Sequence, residues 1–99
     1  MYFSSNLKLL RKRKKRTQDD VAFAIKVPRP TYSGYENGVS MPAIETLIKL
    51  SDYYSVSIDA LLRLDMSVMT ESQLRNIETG NDVYIKGSNL RVLQSTVDK

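Results

Sequence analysis

The 99-residue sequence contains no cysteine and no histidine. The absence of thiols and imidazoles excludes disulfide bonds, zinc sites with Cys or His ligands, and nucleophilic sites that depend on either group. The N-terminal stretch has no uninterrupted apolar run, and its basic residues follow its apolar ones, unlike a signal peptide or a membrane span. We therefore expect a cytoplasmic protein that does not associate with membranes and carries no cofactor or metal.

Acidic residues suited to catalysis are also scarce. Asp19 and Asp20 are adjacent on a predicted helix and so point to different faces. No second acidic pair and no metal-ligand spacing accompanies them. The sequence therefore predicts a protein that is not an enzyme.

Positive charge is concentrated at the N-terminal end of the chain. Residues 1–35 hold nine Lys and Arg against two Asp, a net charge of +7, whereas residues 36–99 have a net charge of −3. Seven of these basic residues lie between Lys8 and Arg16. Such a segment can attract nucleic-acid phosphates or an anionic membrane, or it can be a solvated helix face. Charge alone leaves these alternatives open.

Apolar residues recur at helical spacing in five segments of residues 1–64. The first helix is predicted to run to about Lys14 behind a cap at Ser4, Ser5 or Asn6. Later helices are predicted over about 18–25, 30–36, 42–54 and 58–62. Their short connections favour a shared core, so we expect an all-α domain over 1–64.

Local signals mark the ends of the middle helices. Thr17 followed by Asp20 resembles a capping box at the start of the second helix. Because the residue before a proline is pushed out of the α region, Pro30 is expected to leave Arg29 just outside the third helix. Gly38, which tolerates positive φ, is expected to end the third helix.

The fourth helix is predicted from the strongest apolar pattern in the chain. Pro42 is expected in its first turn, where the missing N–H is tolerated. Its expected apolar positions are Ile44, Leu47, Ile48, Leu50 and Tyr54.

Residues 65–99 differ in character and form a separate predicted segment. Thr70 and Gln73 match a capping box for a helix to about Glu78. The β-branched stretches 83–85 and 90–93 then predict a β-hairpin. An isolated hairpin is marginal in water, so we expect this appendage to pack against the helical domain, a second copy or another domain.

One combination of residues is more specific than the helical pattern. It consists of Leu7, Arg11, Thr17, Gln18, Val21, Ala22, Tyr35, Glu36, Asn37, Gly38, Pro42 and Leu47. At these spacings, residues 5–64 resemble the phage-repressor and Cro-like (XRE) helix-turn-helix family. The resemblance implies a five-helix repressor-like fold and sequence-specific binding of double-stranded DNA as a homodimer, with the third helix in the major groove.

The resemblance also implies which residues contact DNA. Gln18 would hydrogen-bond a phosphate from the start of the second helix, assisted by the helix N-terminus. Arg29, Thr31 and Ser33 would face the DNA from the start of the third helix, with Arg29 suited to reading guanine. Asn37 would touch the DNA backbone from the loop behind that helix.

The same resemblance assigns one structural pair and one basic turn. Arg11 and Glu36 occupy positions that pair between the first helix and the end of the third. Lys14, Lys15 and Arg16 lie near the turn between the first two helices and are expected to contact phosphates.

The C-terminal segment has a narrower resemblance. Residues 72–75, 82–84 and 89–98 are similar to the connector that precedes a LexA-like (S24 peptidase) domain in Bacteroides-type repressors. This implies a C-terminal regulatory domain that the 99 residues do not contain. A different class of function stays open beside DNA binding, namely an antitoxin or adaptor-type module that holds a protein partner.

Overall fold

The computed structural model describes residues 1–78, and within them it is entirely helical. The helices are α1 (Phe3–Arg13), α2 (Gln18–Ile25), α3 (Arg29–Glu36), α4 (Ile44–Tyr54), α5 (Ile58–Arg63), a short 3-10 helix (Met66–Val68) and α6 (Glu71–Glu78). The five helices predicted within residues 1–64 are thereby confirmed. The predicted hairpin lies outside the described residues. Across the same stretch, no helix is long and apolar enough to cross a bilayer.

Two helices begin at the capping boxes that the sequence predicts. Before α2, the Asp20 backbone N–H donates to Thr17 Oγ1 at 3.1 Å and the Thr17 N–H donates to Asp20 Oδ2 at 2.9 Å. Before α6, the Gln73 N–H donates to Thr70 Oγ1 at 3.1 Å and the Thr70 N–H donates to Gln73 Oε1 at 2.8 Å. Each box provides partners for backbone donors that a helix start leaves unpaired.

The turns after α2 and α3 both use the left-handed backbone region. Lys26 ends α2 with φ 62°, and Gly38 follows α3 with φ 74°. The positive φ expected at Gly38 is confirmed. A side chain in this region costs about 1–2 kcal/mol, so Lys26 is a strained position that glycine would occupy more easily.

The hydrophobic core is shared by every helix of the described chain. Its fully buried members include Leu7, Leu10, Val21, Ile25, Tyr32, Leu50, Leu61 and Met66. Leu74 and Ile77 place α6 on the same core. The 3-10 helix and α6 therefore pack on the five helices that precede them.

The start of α1 differs from its prediction. The helix begins one residue before Ser4, behind Tyr2, which makes no side-chain cap. Asn6 is buried, and its amide donates to the carbonyls of Leu61 at 2.9 Å and Leu64 at 2.7 Å. Asn6 Oδ1 accepts the Met66 backbone N–H at 3.2 Å. The expected cap at Ser4, Ser5 or Asn6 is wrong because the Asn6 side chain instead fastens α1 to the end of α5.

The apolar face of α4 is narrower than predicted. Pro42 lies outside the helix, whose N-cap is Ala43. Leu47, Leu50 and Tyr54 are buried, whereas Ile44 and Ile48 are 63% and 46% exposed. At 100° per residue, these two isoleucines fall to one side of the buried stripe, beyond the contacts that α4 makes with α2 and α5. The expectation that they join the core is therefore wrong.

Candidate nucleic-acid interface

A two-point ion pair joins α1 to the end of α3. Arg11 Nε donates to Glu36 Oε2 at 2.7 Å, and Arg11 Nη2 donates to Glu36 Oε1 at 3.1 Å. The Glu36 side chain is fully buried and that of Arg11 is 15% exposed. Paired N–H donors in the plane of a carboxylate form one of the stronger side-chain contacts. The end of the third helix is thus held in one orientation relative to α1.

The Glu36 carboxylate also reaches the first residue of α2. Gln18 Nε2 donates to Glu36 Oε1 at 3.1 Å. Arg11 Nη1 donates to the Arg16 carbonyl at 3.1 Å and so includes the turn between α1 and α2. We name this set of Arg11, Arg16, Gln18 and Glu36 the Glu36 network. It connects three elements that converge on one side of the domain.

Buried hydroxyl groups extend this network into the core. The Tyr32 and Tyr54 hydroxyl oxygens are 2.7 Å apart and share a hydrogen bond. Burial raises the pKa of both hydroxyls, so both stay neutral. Burial alone would also raise the pKa of Glu36, but hydrogen bonds from Arg11, Tyr32 and Gln18 outweigh it, and the pKa is lowered. Glu36 is therefore an ionised acceptor inside the fold.

The N-terminus of α3 carries Arg29 at its first helical position. Pro28 is the N-cap and Pro30 is the second residue of the helix. The expectation that Arg29 lies outside the helix is wrong. Pro30 breaks no hydrogen bond, because first-turn N–H groups have no intrahelical acceptor, and the steric restriction that it places on Arg29 is a preference that the helix overcomes. Arg29 Nε lies 3.5 Å from Asp19 Oδ1, and both side chains are largely exposed. Such an exposed pair is weak, so the guanidinium is free to exchange Asp19 for another acceptor.

The remaining expected contacts on α3 differ in accessibility. Thr31 and Ser33 are half-buried, whereas Asn37 is exposed behind the helix. Asn37 Nδ2 donates to Ser33 Oγ at 3.3 Å. These two polar groups thus already form one surface unit, which leaves other donors and acceptors of both side chains available.

Gly34 has a structural role that the sequence did not predict. The loop after α3 folds back on it, and the N–H groups of Val39 and Ser40 both donate to the Gly34 carbonyl, at 2.9 and 3.4 Å. A Cβ added at Gly34 would lie 3.3 Å from Ser40 Oγ. The small residue lets the loop pack closely against α3, and nothing in the neighbouring sequence signals this.

The basic turn between α1 and α2 is exposed. Lys14, Lys15 and Arg16 are all exposed, and Lys15 has a left-handed φ of 59°. Lys14 Nζ lies 5.2 Å from the centroid of the Tyr53 ring, a cation–π contact with α4. These cations make no ion pair with any residue in the range 1–78, so they are available for an anionic partner.

Arg13 in the same basic run is instead used inside the fold. Its Nε and Nη2 donate to Glu78 at 3.0 and 2.6 Å, and its Nη1 donates to Glu71 at 2.7 Å. The two carboxylates, that of Glu78 first, raise the pKa of the guanidinium. This connection between α1 and α6 could not be predicted from the sequence, because the partners are far apart in the chain and no local pattern signals it.

The structure brings only some of the predicted site residues together. Arg11, Gln18 and Glu36 meet in the Glu36 network, which Arg16 joins through its backbone carbonyl. Arg16 and Arg29 also line an open groove of about 700 Å³ beside α2. Phe23 also lines this groove and is 87% exposed. The sequence places these residues on elements that pack together, and the structure brings them to neighbouring parts of the surface.

The chain is similar in sequence to known helix-turn-helix proteins. The Helix-turn-helix family matches residues 7–61. The chain is 46% identical over 61 residues to the uncharacterized HTH-type transcriptional regulator YqaE of Bacillus subtilis, covering 62% of this chain and 53% of that protein. The chain therefore spans about half the length of that relative. It is 35% identical over 80 residues to the cryptic phage CTXphi transcriptional repressor RstR of Vibrio cholerae, covering 78% of this chain and 72% of that one.

A solved structure shares the same architecture. The crystal structure of a transcriptional regulator from Listeria innocua matches with a TM-score of 0.57 and 26% sequence identity, covering 82% of this chain and 90% of that chain. The family match includes α1 from Leu7 onward, all of α2 to α4 and most of α5, and so includes the Glu36 network and the start of α3. The chain belongs to the helix-turn-helix family of XRE-type transcriptional regulators.

Proposed function

We propose that this protein is a cytoplasmic repressor that binds double-stranded DNA as a homodimer and reads a pseudo-palindromic operator. Similarity to RstR, whose name describes a transcriptional repressor, supports repression rather than activation. The strongly basic N-terminal third supports a polyanionic partner.

The observation that carries this proposal is the position of Gln18 in the Glu36 network. One hydrogen of its amide is donated to Glu36, and the second hydrogen is left for a phosphate oxygen at the N-terminus of α2. The same carboxylate holds the end of α3 through Arg11. A phosphate bound at Gln18 would therefore set the position of α3 relative to the DNA backbone.

Polar groups on and just after α3 supply the proposed readout. Arg29 presents two parallel donors that match O6 and N7 of guanine in the major groove. Thr31 and Ser33 add hydroxyl groups that can form hydrogen bonds with bases or with phosphates. Asn37 contacts the DNA backbone from its position after the helix. Lys14, Lys15 and Arg16 add phosphate contacts from the turn before α2.

An exposed apolar surface supports the proposed homodimer. Met41, Ile44 and Ile48 are exposed, with Val39 close by in sequence and also exposed. Neighbouring apolar side chains at a helix surface are typical of protein contacts. Two copies joined there would present two third helices to successive major grooves, about 34 Å apart. The predicted hairpin of residues 83–93 is a second proposed dimer contact.

Selection of bound sites from a random DNA pool tests this function. We expect a single half-site consensus repeated with inverted symmetry, and binding to the selected duplex should weaken steeply as salt rises. Binding that is indifferent both to DNA and to salt would contradict the proposal and favour the antitoxin or adaptor-type module. A scrambled duplex of equal length is the control for non-specific attraction.

A further inference from the structure

A second open groove, of about 750 Å³, lies between the exposed side of α1 and the end of α3. Ser4, Lys8 and Lys12 line it from α1, and Asn37 lines it from α3. Lys8 and Lys12 are one helical turn apart, about 6 Å along the axis, so both side chains lie on the same wall. The groove thus combines flexible cations and polar groups with a largely apolar lining that includes Leu9.

The charges in this groove do not cancel. Glu36 reaches it but is neutralised by Arg11, and Arg13 at its far end is neutralised by two carboxylates of α6. Lys8 and Lys12 are exposed, and neither makes an ion pair within residues 1–78. Two uncompensated positive charges remain, so the chemistry of the groove favours an extended anion.

The position of the groove favours a nucleic-acid strand over an acidic protein. Gly38, which follows Asn37, packs closely against the first turn of α1: a Cβ at Gly38 would lie 3.5 Å from Ser4 Oγ. The groove therefore begins where α3 ends, at the residue proposed to touch the DNA backbone. A strand that contacts Asn37 continues directly along Ser4 and the two lysines.

We propose that Lys8 and Lys12 bind consecutive phosphates of the same DNA strand that Asn37 contacts, with Ser4 as an added hydrogen-bond donor. The contact surface on DNA then extends from α3 along α1 and includes three residues of α1. This inference rests on the proposed DNA-binding function and adds a site to it. It adds affinity without base discrimination, because phosphates carry no sequence information directly.

The test compares the parent with the double variant K8Q/K12Q on the selected operator and on a scrambled duplex, over a series of salt concentrations. Each phosphate contact contributes about 0.9 to the slope of log affinity against log salt. We expect the slope to fall by about 1.8 in magnitude, with the same fall on both duplexes. The charge-conserving variant K8R/K12R should keep the parent slope.

A matched control removes two positive charges elsewhere. Lys49 on α4 and Arg75 on α6 are exposed, and K49Q/R75Q should keep the parent slope. If the parent selects an operator but K8Q/K12Q keeps the parent salt slope, the inference is overturned, and this is the result expected if the groove binds an acidic protein instead. The inference is also overturned if the slope of K49Q/R75Q falls as much as that of K8Q/K12Q. If the parent binds no DNA, the proposed function itself fails and this inference fails with it. Because both lysines are exposed, we expect unchanged thermal unfolding in K8Q/K12Q.

Discussion

Gln18 and Glu36 are 18 residues apart in the sequence, yet Gln18 Nε2 lies 3.1 Å from Glu36 Oε1. The residue proposed to hold a phosphate is therefore itself held by the residue that pairs with Arg11. The Glu36 carboxylate therefore contributes both to the stability of the fold and to the proposed DNA contact. Changes at Glu36 should affect both properties, whereas changes at Gln18 should affect mainly binding.

Replacing Glu36 by alanine should strongly destabilise the fold. The change leaves Arg11, which is mostly buried, without its partner, and loss of one member of such a pair costs about 3–5 kcal/mol. Urea unfolding followed by circular dichroism measures the difference. Asp52, an exposed residue of α4, provides the control D52A, for which we expect less than about 0.5 kcal/mol. A Glu36→Ala variant as stable as this control would show that the pair does not stabilise the fold.

The lowered pKa of Glu36 predicts a loss of stability in acid. A carboxyl whose pKa is lower when folded than when unfolded stabilises the fold above its ordinary value of 4.5, and this contribution is lost as the pH falls through the folded pKa. Between pH 6 and pH 3, the parent should therefore lose more stability than E36Q. Both proteins retain Asp20 and Glu71, whose pKa values are also lowered, so the difference isolates Glu36. Equal losses in the two proteins would contradict the prediction.

Asn6→Ala should destabilise the protein without affecting any DNA contact directly. The change removes hydrogen bonds from the buried carbonyl of Leu61, the partly buried carbonyl of Leu64 and the buried N–H of Met66, and each unsatisfied buried group costs about 1–3 kcal/mol. We expect a loss of at least about 3 kcal/mol in thermal or urea unfolding. Ser5→Ala, which removes one exposed hydroxyl from the same turn, should change stability by less than about 0.5 kcal/mol.

Arg29→Ala and Lys14→Ala should weaken DNA binding in different ways. Loss of a guanine contact at Arg29 should relax preference at one base position by about 1–3 kcal/mol. Loss of a phosphate contact at Lys14 should weaken all sequences alike and lower the salt slope by about 1. Binding curves on matched and singly substituted duplexes separate these effects. If Arg29→Ala lowers the affinity equally for every duplex, Arg29 contacts a phosphate and not a base.

The exposed isoleucines of α4 predict the site of self-association. The double variant I44E/I48E should shift the protein from dimer to monomer in sedimentation equilibrium, because two charges would be buried without partners in the interface. Phe23→Glu, at another exposed apolar residue, should leave the dimer intact. If I44E/I48E remains a dimer, the contact lies elsewhere, and a chain ending at residue 78 then tests the predicted hairpin.

Features with local causes were predictable from the sequence. The capping boxes at Thr17 and Thr70 depend on residues three positions apart, and the order and approximate bounds of α1 to α6 depend on spacing within single helices. The turn at Gly38 depends on the conformational freedom of that residue. Such effects act over one helical turn, so a linear pattern contains them.

Tertiary packing decided the rest. The sequence predicts Asn6 as a helix cap, but in the packed structure its side chain hydrogen-bonds three backbone groups at the end of α5 and in the 3-10 helix. The sequence predicts Ile44 and Ile48 in the core, but the packing of α4 leaves both exposed to solvent. In the sequence Arg13 is one cation of the basic run, whereas in the fold two carboxylates of α6 pair with it. The sequence alone determined the helical segments, their caps and the basic end. Which side chains those helices bury, pair or leave open depends on contacts between residues far apart in the chain, and only the packed structure contains them.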